Sequence, residues 1–81
     1  MKLEYTDKFL KTLAVLPSPI RKTFYKQAQF LAQNLRYPSL RSKKYDEAND
    51  IWQARINKDW RFFFKIEGDI YSLVSIGPHP Q

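Results

Sequence analysis

Arg55 and Arg61 are two arginines whose spacing would let both side chains bind one anion. Each lies in a stretch where apolar residues alternate, and this period of two predicts strands with one buried face. A three-residue turn over 57–59 keeps both apolar sets on one face of a hairpin. Arg55 then lies opposite Arg61 on the other face, where the two charges repel each other. Such a pair either splays into solvent or points at a bound anion.

The single histidine, His79, is a second candidate because an imidazole transfers protons near neutral pH. By spacing alone, a lone histidine near the end of the sequence is more often an ordinary surface residue than a catalyst. The composition excludes other chemistry. There is no cysteine for a disulfide, a thiolate zinc site or a thiol nucleophile. One histidine is too few for a His-rich metal site, and two glycines are too few for a glycine-rich phosphate loop.

The charge balance predicts an anionic partner. The 81 residues carry a formal net charge of +6, and 16% of them are aromatic, which is typical of a folded chain rather than a disordered basic tail. Nucleic acid or an acidic protein fits this charge, and solubility alone is the other interpretation. The length predicts one domain over 1–81. Neither a membrane span nor a signal peptide is evident, so we expect a soluble cytoplasmic protein.

The elements that must position these residues follow from periodicity. Residues 2–6 alternate as a short strand, and Thr6 can cap the helix that follows. A second helix is predicted at about 19–35, with Ser18 as its N-cap. Its buried stripe should hold apolar residues, with a glutamine or a phenylalanine at the margin: Ile20, Phe24, Ala28, Leu31 and Leu35, then Gln27 or Phe30. Residues 36–50 lack a period and are interpreted as a long basic loop.

Three strands close the chain, so the predicted fold class is α+β. The order is β-α-α-β-β-β, an N-terminal strand and a two-helix hairpin that covers one face of a three-stranded antiparallel meander. The register of the last strand has two readings. A three-residue turn over 67–69 places Ile70, Val74 and Ile76 in the core, and a two-residue turn reverses the faces. The first is preferred because these side chains make the better core.

Four segments of the sequence together resemble the RelE/ParE superfamily of bacterial toxin–antitoxin systems. They are WQARI (52–56), WRFFFKI (60–66), GDIY (68–71) and GPH (77–79). The length and the order of elements fit as well. The resemblance implies a ribosome-dependent mRNA endoribonuclease that cleaves in the A site without a metal or cofactor. In that reaction, a ribose 2′-OH attacks the adjacent phosphate.

The resemblance also assigns roles within that reaction. Arg61 matches the family's arginine for phosphate stabilisation, and His79 matches a histidine that serves as general acid or base. Asp59 matches an acidic residue used in one branch, although a plain turn residue is the alternative. Arg55 falls where the family has a histidine or an arginine. We expect RNA contacts from basic residues in the loop and the first hairpin turn: Arg41, Lys43, Lys44 and Lys58.

The resemblance implies a cognate acidic antitoxin that joins the chain in a hetero-oligomer, with the ribosome and mRNA as further partners. Exposed aromatics such as Phe63 and Tyr71 would supply the apolar part of the antitoxin contact. The sequence departs from the family where Pro80 follows His79, since many nuclease members have a tyrosine there. Tyr71 or a lysine could replace it. A DNA gyrase inhibitor of the ParE type and an RNA-binding protein without activity are the alternatives, and His79 favours the nuclease.

Overall fold

The computed structural model of the protein describes residues 2–78, which adopt an α+β fold. The elements are β1 (Lys2–Tyr5), α1 (Asp7–Val15), α2 (Ser18–Gln33), a 3₁₀ helix (Pro38–Leu40), β2 (Lys43–Asp46), β3 (Ile51–Arg55), β4 (Trp60–Glu67) and β5 (Ile70–Pro78). One sheet contains all the strands in the order β1-β5-β4-β3-β2. β1 is parallel to β5, and the other neighbours are antiparallel. No helix within this range combines the length and the apolar character needed to cross a membrane.

Both helices begin where the sequence places them, although the start of α2 differs in detail. The Thr6 hydroxyl caps α1, since it accepts a hydrogen bond from the Phe9 amide at 3.2 Å and donates one to the Leu73 carbonyl at 3.1 Å. The N-cap of α2 is Pro17 rather than the expected Ser18, and no side chain caps it. Proline in the first turn of α2 breaks no intrahelical hydrogen bond, so the helix starts there without strain.

The two helices cover one face of the sheet, as predicted. Phe24 of α2 contacts Phe62 of β4 with ring centroids 5.3 Å apart, and Phe9 of α1 lies 5.2 Å from Phe24. All three side chains are fully buried. Edge-to-face and tilted aromatic pairs of this kind stabilise a core beyond their buried area. The opposite face of the sheet, here called the open face, has no helix over it among residues 2–78 and carries the odd-numbered residues of β3 and of most of β4.

The expectation of one long loop over 36–50 is wrong, and the sheet therefore has five strands. Within that segment β2 pairs with β3, with Lys43 opposite Gln53 and Lys44 opposite Trp52. The strand lies at the edge of the sheet and is rich in charge. Short charged edge strands pair through their backbone and need no buried face. An apolar period of two is therefore absent, although the strand exists.

The preferred register of the last strand is wrong over its first half. A two-residue turn joins β4 to β5, with Glu67 opposite Ile70 and Gly68 at a φ of +62° that favours glycine. The core therefore receives Tyr71 and Leu73, which are 3% and 0% exposed. A bulge on β5 then shifts the register by one residue, since Phe64 pairs with Leu73 and Phe63 with Ser75. Beyond the bulge, the second half regains the expected faces.

Candidate functional site

The β3–β4 hairpin brings Arg55 and Arg61 together on the open face. The two residues are paired directly across the strands. The hairpin closes at Ile56, whose amide donates to the Trp60 carbonyl at 3.0 Å. The alternation of apolar residues on both strands predicted this register, because a slip by one residue would turn the apolar side chains of the slipped strand to the open face.

The Arg61 side chain lies back over the hairpin turn. Its guanidinium Nη1 donates to the Asn57 carbonyl and to the Trp60 carbonyl, the latter at 3.0 Å. Asn57 in turn orders the loop, since its Oδ1 accepts the amides of Asp59 and Trp60, each at 2.9 Å. Carbonyl partners hold the guanidinium without neutralising its charge. Arg61 is therefore fixed in direction and keeps donors for a ligand.

The charge of a third arginine, in the segment before β2, acts on Arg61. Arg41 directly follows the 3₁₀ helix and has a φ of +48°, a left-handed conformation that is uncommon outside glycine. Burial lowers the pKa of Arg61, and the charges of Arg55 and Arg41 lower that pKa further, while Asp59 raises it. The three arginines, here called the arginine cluster, thus share one electrostatic environment. A guanidinium stays protonated in proteins, so Arg61 keeps its charge although burial, and then repulsion, lower its pKa.

The arginine cluster has no carboxylate salt bridge within residues 2–78. Over that range the salt bridges are those of Lys44 with Glu47, at 3.8 Å, and with Asp50. Each guanidinium group presents several N–H donors in a planar fork. Such donors match the oxygens of phosphate, which they bind in a bidentate fashion. The geometry suits an extended, multiply charged anion.

The remaining predicted basic residues do not all share this face. Lys43 is exposed and pairs with Gln53, whose side chain is on the open side. Lys44 lies across from Trp52 on the other side, with its ammonium 5.2 Å from the centre of the indole ring. A hydrogen bond with Asp50 is the main reason that the pKa of Lys44 is raised. Lys58 is exposed at the hairpin turn beside the cluster.

The predicted proton-transfer residues have different outcomes. Asp59 is exposed in the turn, where its charge acts on Arg61. His79 lies outside the described residues. Tyr71, considered as a replacement for the missing tyrosine and as an exposed aromatic, is buried on the helix-covered face, where its ring contacts Phe64 at 5.5 Å. That expectation was wrong because it assumed the three-residue turn. The Tyr71 side chain cannot reach an anion on the arginine cluster.

Two aromatic rings lie beside the arginine cluster on the open face. Phe63 is half-buried on β4, and Tyr45 of β2 is 52% exposed. Their ring centroids are 4.9 Å apart. Exposed rings next to cations are a common platform on which nucleic-acid bases stack. Sequence reasoning singled out Phe63 but missed Tyr45, because β2 was taken as a loop.

A polar side chain that the sequence placed only at the margin of the α2 stripe, Gln27, is buried behind the arginine cluster. Gln27 of α2 is 5% exposed and donates through Nε2 to the carbonyls of Ser39, at 3.0 Å, and of Arg55, at 2.8 Å. The Ser39 hydroxyl donates to its Oε1 at 3.0 Å. The signal in the sequence was a polar residue three positions after Phe24 on the apolar stripe. Such a residue belongs at the interface and needs buried partners.

Comparison with known proteins gives similarity of fold at low sequence identity. No protein-family model matches the chain, and no curated protein matches it. The archaeal RelE-RelB complex from Pyrococcus horikoshii matches with a TM-score of 0.79 at 16% identity, over 95% of this chain and 92% of that chain. The YoeB/ParE toxin from Agrobacterium tumefaciens gives 0.81 at 12%, over 99% and 100%.

A third structure is the heterotetrameric YoeB-YefM toxin-antitoxin complex from Staphylococcus aureus. It matches with a TM-score of 0.77 at 10% identity, over 99% of this chain and 98% of that chain. The similarity thus covers the whole described fold in each case. This chain has the fold of the RelE/ParE-type toxins.

Proposed function

We propose that this single-domain protein is the toxin of a toxin–antitoxin module and cleaves mRNA in the ribosomal A site, without a metal or cofactor. The observation that carries the proposal is the arginine cluster. Arg55 and Arg61 are paired across β3 and β4 on the open face, the charge of Arg41 acts on Arg61, and none of the three has a carboxylate salt bridge in the described range. Clustered arginines that repel one another are stabilised when a polyanion binds. RNA supplies such an anion, and the toxin fold supports this choice.

The reaction would be a transfer of phosphate within the RNA. The ribose 2′-oxygen loses its proton and forms a bond to the adjacent phosphorus, and the bond from phosphorus to the 5′-oxygen breaks. The leaving 5′-oxygen takes up a proton, and the products are a 2′,3′-cyclic phosphate and a 5′-hydroxyl. Negative charge on the phosphate oxygens grows in the transition state, where preorganised cations stabilise it.

Each residue then has a role in this reaction. Arg61 stabilises the phosphorane-like transition state, because its carbonyl partners hold it in place. Arg55 and Arg41 bind the phosphates, and His79 transfers the proton as general acid or base. Asp59 tunes the cluster through its charge. Beyond the cluster, Lys43 and Lys58 extend RNA binding, and a base stacks on Tyr45 and Phe63, whose rings are in contact.

The partner would be a cognate acidic antitoxin in a cytoplasmic hetero-oligomer. The net charge of +6 favours an acidic chain and speeds its association. A structure of the same fold is a toxin-antitoxin heterotetramer, which supports this assignment. Covering the arginine cluster with carboxylates would block RNA and relieve the repulsion between arginines at once.

Single-turnover cleavage of ribosome-bound mRNA tests the proposal. Arg61→Ala should slow cleavage by about 10²–10³-fold, because it removes a transition-state cation. His79→Ala should slow it by about 10²–10⁴-fold, as general acid–base catalysis is lost. The matched control is Arg36→Ala, which removes an exposed arginine shortly after α2 and should cleave at the parent rate.

Two results would contradict the proposal. A parent protein that leaves ribosome-bound mRNA intact is not an endoribonuclease, and filamentation with DNA damage on expression would then indicate the gyrase alternative. If Arg61→Ala and Arg36→Ala both cleave at the parent rate, the cluster is not the site of the reaction.

A further inference from the structure

A glutamine amide is buried where the helical face of α2 meets the backbone behind the arginine cluster. Gln27 occupies the buried stripe of α2 together with Phe24, Ala28 and Leu31, and only 5% of it is exposed. Burying an amide is costly unless its donors and its acceptor all find partners. An apolar side chain of the same length would fill this position without that requirement. The polar residue therefore calls for an explanation beyond packing.

Every hydrogen-bonding group of the Gln27 amide that faces the interior is used. Nε2 donates to the Ser39 carbonyl and to the Arg55 carbonyl, at 3.0 and 2.8 Å, and Oε1 accepts the Ser39 hydroxyl at 3.0 Å. Because both partners of Nε2 are carbonyls, only one orientation of the amide fits. The side chain is therefore a fixed three-way junction between α2, the 3₁₀ helix and the end of β3.

The junction holds the backbone of two members of the cluster. Arg55 is held directly through its own carbonyl. Arg41 is held through Ser39, because it directly follows the 3₁₀ helix that contains Ser39 and its amide donates to the Pro38 carbonyl at 3.3 Å. Arg61 is positioned in turn, because it is paired with Arg55 across the two strands. One buried side chain thus links the segments that carry all three arginines.

Like charges on facing strands push their side chains apart. Backbones that are held in place keep such charged residues in position before a ligand arrives. We propose that Gln27 is the positioning residue of the arginine cluster, and this role rests on the proposed function only for the identity of the anion. The preorganised cluster then binds and stabilises a phosphate without the cost of collecting its arginines first.

The test compares Gln27→Met with Gln29→Met. Gln27→Met keeps the length and bulk of the side chain but removes its hydrogen bonds to Ser39 and Arg55. Gln29→Met changes an exposed glutamine on the same helix. Nitrogen–proton NMR signals of the arginine Nε groups report the order of the cluster directly. In Gln27→Met we expect the Nε–H chemical shifts of Arg41, Arg55 and Arg61 to move towards the values of disordered arginines. Cleavage should slow by about 10- to 100-fold. Gln29→Met should behave as the parent.

The order of the rest of the fold separates positioning from plain stabilisation. The hydrogen bond from the Thr6 amide to the Leu73 carbonyl lies where β1 meets β5, at the end of the strand order away from β3, and the Thr6 amide signal should stay unchanged in Gln27→Met. Ser39→Ala is the milder variant, since it removes one hydrogen bond and should slow cleavage by about two- to fivefold. It decides the question if Gln27→Met does not fold.

The outcomes are distinct. The proposal is overturned if the arginine signals of a folded Gln27→Met match those of Gln29→Met, or, where it does not fold, if Ser39→Ala matches the parent. If the parent does not cleave RNA, the proposed function fails, while the arginine signals still judge the positioning role.

Discussion

Arg61 and Phe62 are neighbours on β4, yet they belong to opposite environments. Phe62 is fully buried under α2, where it contacts Phe24 and Phe64. Arg61 lies on the open face, with two other arginines acting on it. Because side chains alternate along a strand, the two faces can be changed independently. The helix-covered face therefore supplies stability, and the open face is free to hold repelling charges that stability alone would not select.

The largest effect should come from removing a ring on the covered face. Phe62→Ala should lower the free energy of unfolding by about 3–5 kcal/mol, because it loses buried area and leaves a cavity. Phe63→Ala, on the open face, should lose much less, since Phe63 is half-buried and its ring contacts Tyr45. Urea denaturation followed by circular dichroism measures both. Equal losses would show that the open face is part of the core.

Two adjacent lysines sharpen the comparison, because β2 sends them to different sides. Lys43→Ala should lower the salt dependence of single-stranded RNA binding by about 0.7 in slope for each phosphate that the lysine had neutralised. Lys44→Ala should leave the slope unchanged, since its ammonium lies at Trp52 and is paired with Asp50. Binding titrations over a range of salt concentrations measure the slopes. If the slope falls equally in both variants, the RNA path crosses the edge of the sheet.

A smaller effect should appear at alkaline pH on the covered face. Burial raises the pKa of Tyr71 above the ordinary value of 10.0. The unfolded chain therefore loses this proton first, and the stability that Tyr71 contributes is complete below about pH 10 and is lost as the pH rises further. In Tyr71→Phe this alkaline loss should shrink. Thermal unfolding between pH 8 and 11, in roughly half-unit steps, measures this loss of stability. If stability falls with pH in the same way in Tyr71→Phe and in the parent, the prediction is wrong.

The smallest effect should be a gain of stability. Arg55→Gln removes one of the charges that repel Arg61, so the free energy of unfolding should rise by about a few tenths of a kcal/mol. The gain should fade as salt screens the repulsion in the parent. Denaturation at low and high salt measures the difference. If Arg55→Gln is instead less stable than the parent at low salt, the net interaction between Arg55 and Arg61 is favourable.

The sequence predicted the parts of the fold that follow from apolar alternation. The pairing of Arg55 with Arg61 was predictable because a slip would expose the aromatics of two strands. The bulge on β5 was not, since it depends on how Tyr71 and Leu73 pack against the helices. β2 was missed because a charged edge strand has no buried face. Gln27 was placed at the margin of the α2 stripe, but its hydrogen bonds to Ser39 and Arg55 were not predictable, because no local pattern reveals partners that are distant in sequence.

The place of β5 in the sheet has a consequence for the making of the protein. β5 lies between β1 and β4, so residues 70–78 join strands from the two ends of the described chain. The N-terminal strand has no neighbour in the sheet until this segment has been synthesised and has left the ribosomal exit tunnel. Pairings at such sequence separation form slowly. A nascent chain therefore carries an incomplete sheet until residues 70–78 have emerged, and the pairing of β1 waits for that segment.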